Sequence, residues 1–327
     1  MIKKIAVIAL SQFVRNSMAF TCLLALLAFG SGGISQAAGL TPCAPIGWHA
    51  VETTNFRILS YSAQGVSHET ANACEALRER LAIQWLGSAN RAPDWIPKCD
   101  IVLHPSDDAY VREVGVGGRV TVASSLIDRK QGRIAIRRID IKATQPDWQT
   151  GALGHELTHV VLADRFTGHT LPRWIDEGIA ILADPVEKQG HHLRDLRNAM
   201  ASRAEFRLFE LITLADYPPA QRWGAFYGQS TSLVQYLVAQ AGAERFLDFV
   251  DRSFEEGYEP ALHHVYHFGV AELERRWQAD FKASSAVAPA ARAPSHPPST
   301  LLSTAAAVPA QEISLKNPRR AAVQVTR

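Results

Sequence analysis

This chain has little sulfur and little net charge. Four cysteines and three methionines are spread over 327 residues, and the formal net charge is +2. That near balance points to neither nucleic acid nor an anionic membrane surface as a partner. The apolar run at 18–29, MAFTCLLALLAF, falls short of the roughly 20 residues a membrane span takes. No internal repeat is present. From 284 onward aromatics are absent and Ala, Pro and Ser dominate. Such a segment buries too little apolar surface to offset its ordering entropy, so 284–327 is expected to be a disordered tail.

What is present begins with a targeting pattern. Lys3, Lys4 and Arg15 precede the apolar run, and small residues follow it to Ser35-Gln36-Ala37-Ala38. That order predicts a secretory signal peptide over 1–38. Cys22 lacks the small-residue setting of a lipoprotein signal. The expectation is an exported protein, periplasmic or secreted from a bacterial cell envelope, with no stable membrane span after signal removal. Cys43, Cys74 and Cys99 remain, and export permits a disulfide. Cys74 and Cys99 flank a predicted helix and strand and are the favoured pair, leaving Cys43 odd.

About 240 residues remain between leader and tail, enough for one large domain or two small ones. The part at 40–145 reads as a small α/β layer. NFRILSYS (55–62) alternates like a half-buried strand, and HETANACEALRERLAIQWLG (68–87) has helical spacing. CDIVLH (99–104), GRVTVASS (118–125) and RIAIRRIDIK (133–142) are further strands. The last two are separated by the turn-like DRKQG, which predicts a hairpin. The part at 146–283 has helical period throughout. Pro146 suits the first turn of a helix running to about Arg165, and a second helix covers 172–184. Further helices are predicted over 191–204, 218–242, 243–257 and 270–283. The fold class expected is α+β, with a mainly helical C-terminal subdomain.

GALGHELTHVVLADRF (151–166) carries the chemistry. His155, Glu156 and His159 make the pattern H-E-x-x-H. On a helix, residues i and i+4 project from one face, so both imidazoles can reach one ion. Zinc suits two neutral imidazoles plus a carboxylate, with a fourth position open to water. Glu156 sits beside that pair, where a general base belongs. The surrounding residues are mostly Leu, Val and Ala, which predicts burial. A buried glutamate is costly without a partner, and a metal–water site relieves that cost.

The third ligand is sought in LPRWIDEGIAILAD (171–184). A longer zinc pattern with Gly and His after the second histidine fails, because Leu162 and Arg165 occupy those positions. The segment is apolar nearly all round, yet carries Asp176 and Glu177 in its middle. Glu177 has the longer reach and a spacing that suits a helix–loop–helix return, so it is favoured over Asp176. Asp176 is assigned to orienting a ligand histidine.

HELTHVVL followed by LPRWIDEGIA resembles the gluzincin metallopeptidases, in particular the bacterial peptidase MA-like families. The resemblance is sharp over 153–183 and loose beyond it. It implies a zincin-like fold, one Zn2+ held by His155, His159 and Glu177, and Glu156 as catalytic acid/base. It departs at Ile181, where some gluzincins have an acid, which leaves Asp176 or Asp184 to support the ligands. The family places a tyrosine or histidine downstream for the oxyanion, and Tyr227 in AFYGQS is the candidate. His191 and His192 are weaker candidates expected to face solvent, while nothing in the spacing of His104 or His169 argues for a role. By the same resemblance, the 118–142 hairpin offers an edge strand that aligns an extended peptide.

The resulting expectation is an exported zinc peptidase acting on a peptide or protein. The alternatives are an inactive metallopeptidase-fold binding or scaffold protein of the cell envelope, and a zinc amidase on a non-peptide substrate.

Overall fold

The computed structural model describes residues 47–61, 68–87, 93–145, 148–287 and 323–325. The predicted leader, Cys43, Pro146 and all of the tail except 284–287 and 323–325 lie outside the described residues. The fold is mixed α/β, built on one six-stranded sheet.

Among the described residues, strands β1 (His49–Glu52) and β2 (Phe56–Ser60) come first, followed by helix α1 (His68–Leu86) and β3 (Cys99–His104). Then come α2 (Asp107–Val114), a 3-10 turn at Val116–Val120, β4 (Ala123–Lys130) and β5 (Arg133–Lys142). A short strand β6 (Val323–Val325) completes the sheet, in the order β1-β2-β3-β5-β4-β6. The β2–β3 and β3–β5 pairs are parallel, and the others are antiparallel.

The predicted hairpin forms, with its first strand displaced. β4 starts at Ala123 rather than Gly118 and runs on through Asp128 to Lys130, past a register irregularity at Asp128/Arg129. Gln131 (φ 53°) and Gly132 (φ 72°) make the turn, the positive-φ pair that matches strand twist in a two-residue hairpin. Gly118 is held elsewhere: a Cβ there would meet Val114 Cγ2 at 2.5 Å and Tyr110 Cε1 at 2.9 Å, so the 3-10 turn packs tightly on α2. α2 itself is capped by the Ser106 side chain, which accepts from the Ala109 N–H.

One face of the sheet is apolar. Ala123, Ile127, Ile139 and Ile141 share a core with Leu157, Val160 and Val161 of the H-E-x-x-H segment. The other face is polar. There His104 Nε2 lies 2.6 Å from Asp140 Oδ1, and Tyr110 of α2 covers the pair edge-on. His104 is thereby occupied on the sheet's far face.

Cys74 and Cys99 are both buried free thiols, against the favoured disulfide. They act as small apolar residues between α1 and β3, and burial pushes the Cys74 thiol up to about 12.

The remainder is helical: α3 (Trp148–Gly151), α4 (Leu153–Arg165), α5 (Arg173–Ile181), α6 (Val186–Ser202), α7 (Leu208–Ile212), α8 (Trp223–Glu256), α9 (Tyr258–Tyr266) and α10 (Val270–Val287). The break predicted at residue 242 appears inside α8, where Gly242 has φ 85°. α6 begins at Val186, five residues before its sequence pattern, and α10 runs through 284–287. No helix among the described residues is long and apolar enough to cross a membrane.

Candidate metal centre

α4 is buried from Leu153 to Ala163, and α5 from Trp174 to Ile181. Two buried helices can bring their backbones close only where side chains are small. Gly154 marks one such place: a Cβ there would lie 3.1 Å from the Ala183 carbonyl oxygen. α4 can therefore lie against the turn that leads to Asp184. Gly178 marks the other. A Cβ there would meet Val234 Cγ2 at 2.6 Å and Ser230 O at 2.7 Å. α5 thus lies directly on the α8 backbone, and the residue before that glycine is Glu177. Trp174 pins the start of α5, donating from Nε1 to Tyr258 OH at 3.2 Å.

This packing brings three side chains together. Ligand atoms of His155, His159 and Glu177 all lie within 4.8 Å of one another. All three residues are at most 2 % exposed. His155 Nε2 is 3.4 Å from Glu177 Oε2. Among the described residues, His155 Nε2, His159 Nε2 and Glu177 Oε2 have no hydrogen-bond partner. Buried polar atoms are seldom left that way, and three aimed at one point fit a cation. The donor set, two imidazoles and one carboxylate, suits zinc.

The far sides of these ligands are supported. His155 Nδ1 lies 3.2 Å from Asp184 Oδ2, and Asp184 Oδ1 accepts from Lys188 Nζ at 3.1 Å. His159 Nδ1 lies 2.8 Å from Asp176 Oδ1. With Nδ1–H donating to a carboxylate, each ring, once its Nε2 proton leaves, would turn an Nε2 lone pair inward, the form a metal needs. Tyr217 OH donates to Glu177 Oε1, leaving Oε2 for the centre.

Electrostatics follow from this arrangement. Burial works against a charged His155 ring, but Asp184 and Glu177 outweigh it and hold the ring up at about 10. His159 is raised in the same way, with Asp176 overcoming burial. For Glu177, burial alone would favour the acid, yet the two histidines and Tyr217 pull it below the usual carboxylate range. Burial, followed by the Glu177 charge, drives the Tyr217 phenol well above its ordinary value, so it remains a donor.

Glu156 is fully buried on α4, adjacent to His155 in sequence. Tyr227 is 7 % exposed on α8, its ring 5.6 Å from His192. It is also close enough to Tyr217 for the two phenols to interact. His192 departs from expectation. It is half-buried, and burial, with Lys188 behind it, lowers it to about 4, so the ring is neutral at pH 7. The reason is a close helix crossing: a Cβ on Gly228 would lie 2.3 Å from the His192 carbonyl oxygen. His191 is exposed as expected. His169 stacks on Phe254 at 4.3 Å, occupied outside the centre.

Tyr217 escaped the sequence reading. It sits in the loop after α7, where no period marks it, and only Pro218-Pro219 hint at a rigid turn. A cleft of about 550 Å3 beside α6 is lined by Asp195, Asn198, Glu205 and Arg222 among others. It includes none of the residues of the centre, and nothing ties it to their chemistry.

No curated protein matches the chain. The family model of the Peptidase MA superfamily matches residues 132–283. That span runs from the hairpin turn into α10 and holds every residue of the centre, so this part of the chain is peptidase-like.

Proposed function

We propose that this chain is an exported, zinc-dependent peptidase of the gluzincin type, with a zincin-like fold. The observation that carries the reading is the convergence of His155 Nε2, His159 Nε2 and Glu177 Oε2, buried and without hydrogen-bond partners among the described residues. Export rests on the signal pattern at 1–38.

His155, His159 and Glu177 would hold the ion. When bound, zinc supplies Lewis acidity, polarising a carbonyl and acidifying water. Glu156 takes the proton of the attacking water and delivers it to the leaving amine. Its buried setting keeps the transferred proton from bulk solvent. Asp184 and Asp176 hold the imidazoles in the ligating tautomer, and Tyr217 holds Glu177 in its rotamer. Tyr227 is proposed to donate to the developing oxyanion. The antiparallel β4–β5 hairpin is proposed to align the substrate as an extended strand.

Metal analysis tests this. Purified wild type and Glu156→Gln should retain about one zinc per chain, His155→Ala should lose it, and only wild type should show chelator-sensitive cleavage of a peptide library. Wild type without zinc would sink the reading. Zinc without cleavage of any peptide would leave a non-peptidase role for the centre.

A further inference from the structure

Strand β6 lies on the outer side of β4. It pairs antiparallel, with Ser124 opposite Val325, Ser125 opposite Gln324 and Leu126 opposite Val323. Among the described residues, only β6 lies beyond β4 in the sheet order. Without it, Ser124–Leu126 would present the open row of N–H and C=O groups that accepts another extended chain.

This stretch of edge adjoins the candidate metal centre. Ala123 and Ile127 flank it and share a core with Leu157 and Val160 of α4. α4, which carries His155, Glu156 and His159, packs directly against β4.

We propose that the outer edge of β4 is a strand-docking site whose resident occupant is this chain's own Val323–Val325. The tail and an extended peptide substrate then compete for one edge, and the tail is a displaceable brake on the centre. The docking stands on the strand pairing alone, whereas the competition rests on the peptidase reading above. Residues 288–322 connect β6 to α10, and a tether of that length keeps the tail at high effective concentration beside the edge. A tail docked nine-tenths of the time lowers the apparent affinity of a competing peptide about tenfold.

The test uses the full chain with Gln324→Pro/Val325→Pro. Proline cannot donate to a ladder, and adjacent positions cover both phases of an antiparallel pair. Amide exchange over residues 123–127 should be slower in wild type, by about tenfold at nine-tenths occupancy, at both low and high protein concentration. Equal exchange in the two proteins overturns the docking. Protection that vanishes on dilution overturns it as well, by assigning the strand to a second copy. The second readout is binding of a fluorescent peptide copying residues 317–327, measured in the Glu156→Gln background so that it is not cleaved. It should bind the proline variant about tenfold more tightly, and equal affinity overturns the competition. Neither measurement depends on turnover, so an inactive protein would defeat the peptidase reading and leave the docking result standing.

Discussion

At the scale of single residues, the centre separates two tyrosines that its sequence does not distinguish. Tyr217 donates to Glu177, whereas Tyr227 lies between α6 and α8 beside His192. The first touches a proposed ligand, and the second is the proposed oxyanion donor. Tyr217→Phe should therefore weaken zinc binding, by about 10- to 100-fold as losses beside a metal ligand do. Tyr227→Phe should leave zinc affinity unchanged and lower kcat, by about 100- to 1,000-fold if it is the oxyanion donor. Competition with a chromogenic chelator reads the first, and steady-state kinetics the second. A Tyr227→Phe enzyme with wild-type kcat would return that residue to core packing. The three converging side chains were legible because helical spacing puts His155 and His159 on one face and because two carboxylates are costly in the apolar α5. Tyr217 was not legible, since a loop residue reaches a site through tertiary geometry that no local period records.

At the scale of elements, the glycine after Glu177 shapes the candidate centre by setting where α5 lies. Gly178 lets α5 lie on α8, and any Cβ there would press on Ser230 O at 2.7 Å, a backbone atom that cannot swing away. Gly178→Ala should cost about 1–3 kcal/mol by overpacking and should also reduce zinc occupancy, because Glu177 moves with its helix. Gly190 on α6 is the contrast. A Cβ there would meet only the mobile Arg194 Nη1, at 3.7 Å. Gly190→Ala should stabilise the protein by up to about 1 kcal/mol through helix propensity, with zinc unchanged. Thermal denaturation and metal content read both, and matching behaviour of the two variants would refute the packing argument. The same tight contacts explain where sequence reading of elements slipped. GRVTVASS alternates as a strand should, yet Gly118 is drawn into a 3-10 turn against Tyr110 and Val114, and the strand begins five residues later. β1 and α2 are too short for their periods to stand out. The four-residue β1 draws its order from pairing with β2, and α2 from its Ser106 cap and the burial of Tyr110.

At the scale of the whole molecule, a metal held at the candidate centre would couple folding to protonation. Without metal, His155 is held at about 10, so at pH 7 the ring is charged, between Asp184 and Glu177. Its folded value lies above that of the unfolded chain. The stability it contributes is therefore complete below about pH 6.5 and is lost as pH rises towards about 10. His159 is raised and acts in the same sense. Glu177, lowered, contributes above the ordinary carboxylate range and loses that contribution as pH falls through its folded value. The metal-free protein should thus be most stable in weak acid and weaken towards alkaline pH. Zinc held there should reverse the trend, because it would bind only the neutral rings and would have to displace their protons. As pH rises the protons leave without its help, and the increment that zinc adds to stability grows. At free zinc about 1,000 times Kd, that increment is about 4 kcal/mol. Calorimetric titration at pH 7 in two buffers of different ionisation enthalpy should show at least about one proton released per zinc. Unfolding midpoints with zinc and with chelator should diverge between pH 6 and pH 9. Zinc binding without proton release would mean that the rings are already neutral in the metal-free fold, and the Asp184–His155–Glu177 arrangement would then have no bearing on the pH dependence of loading.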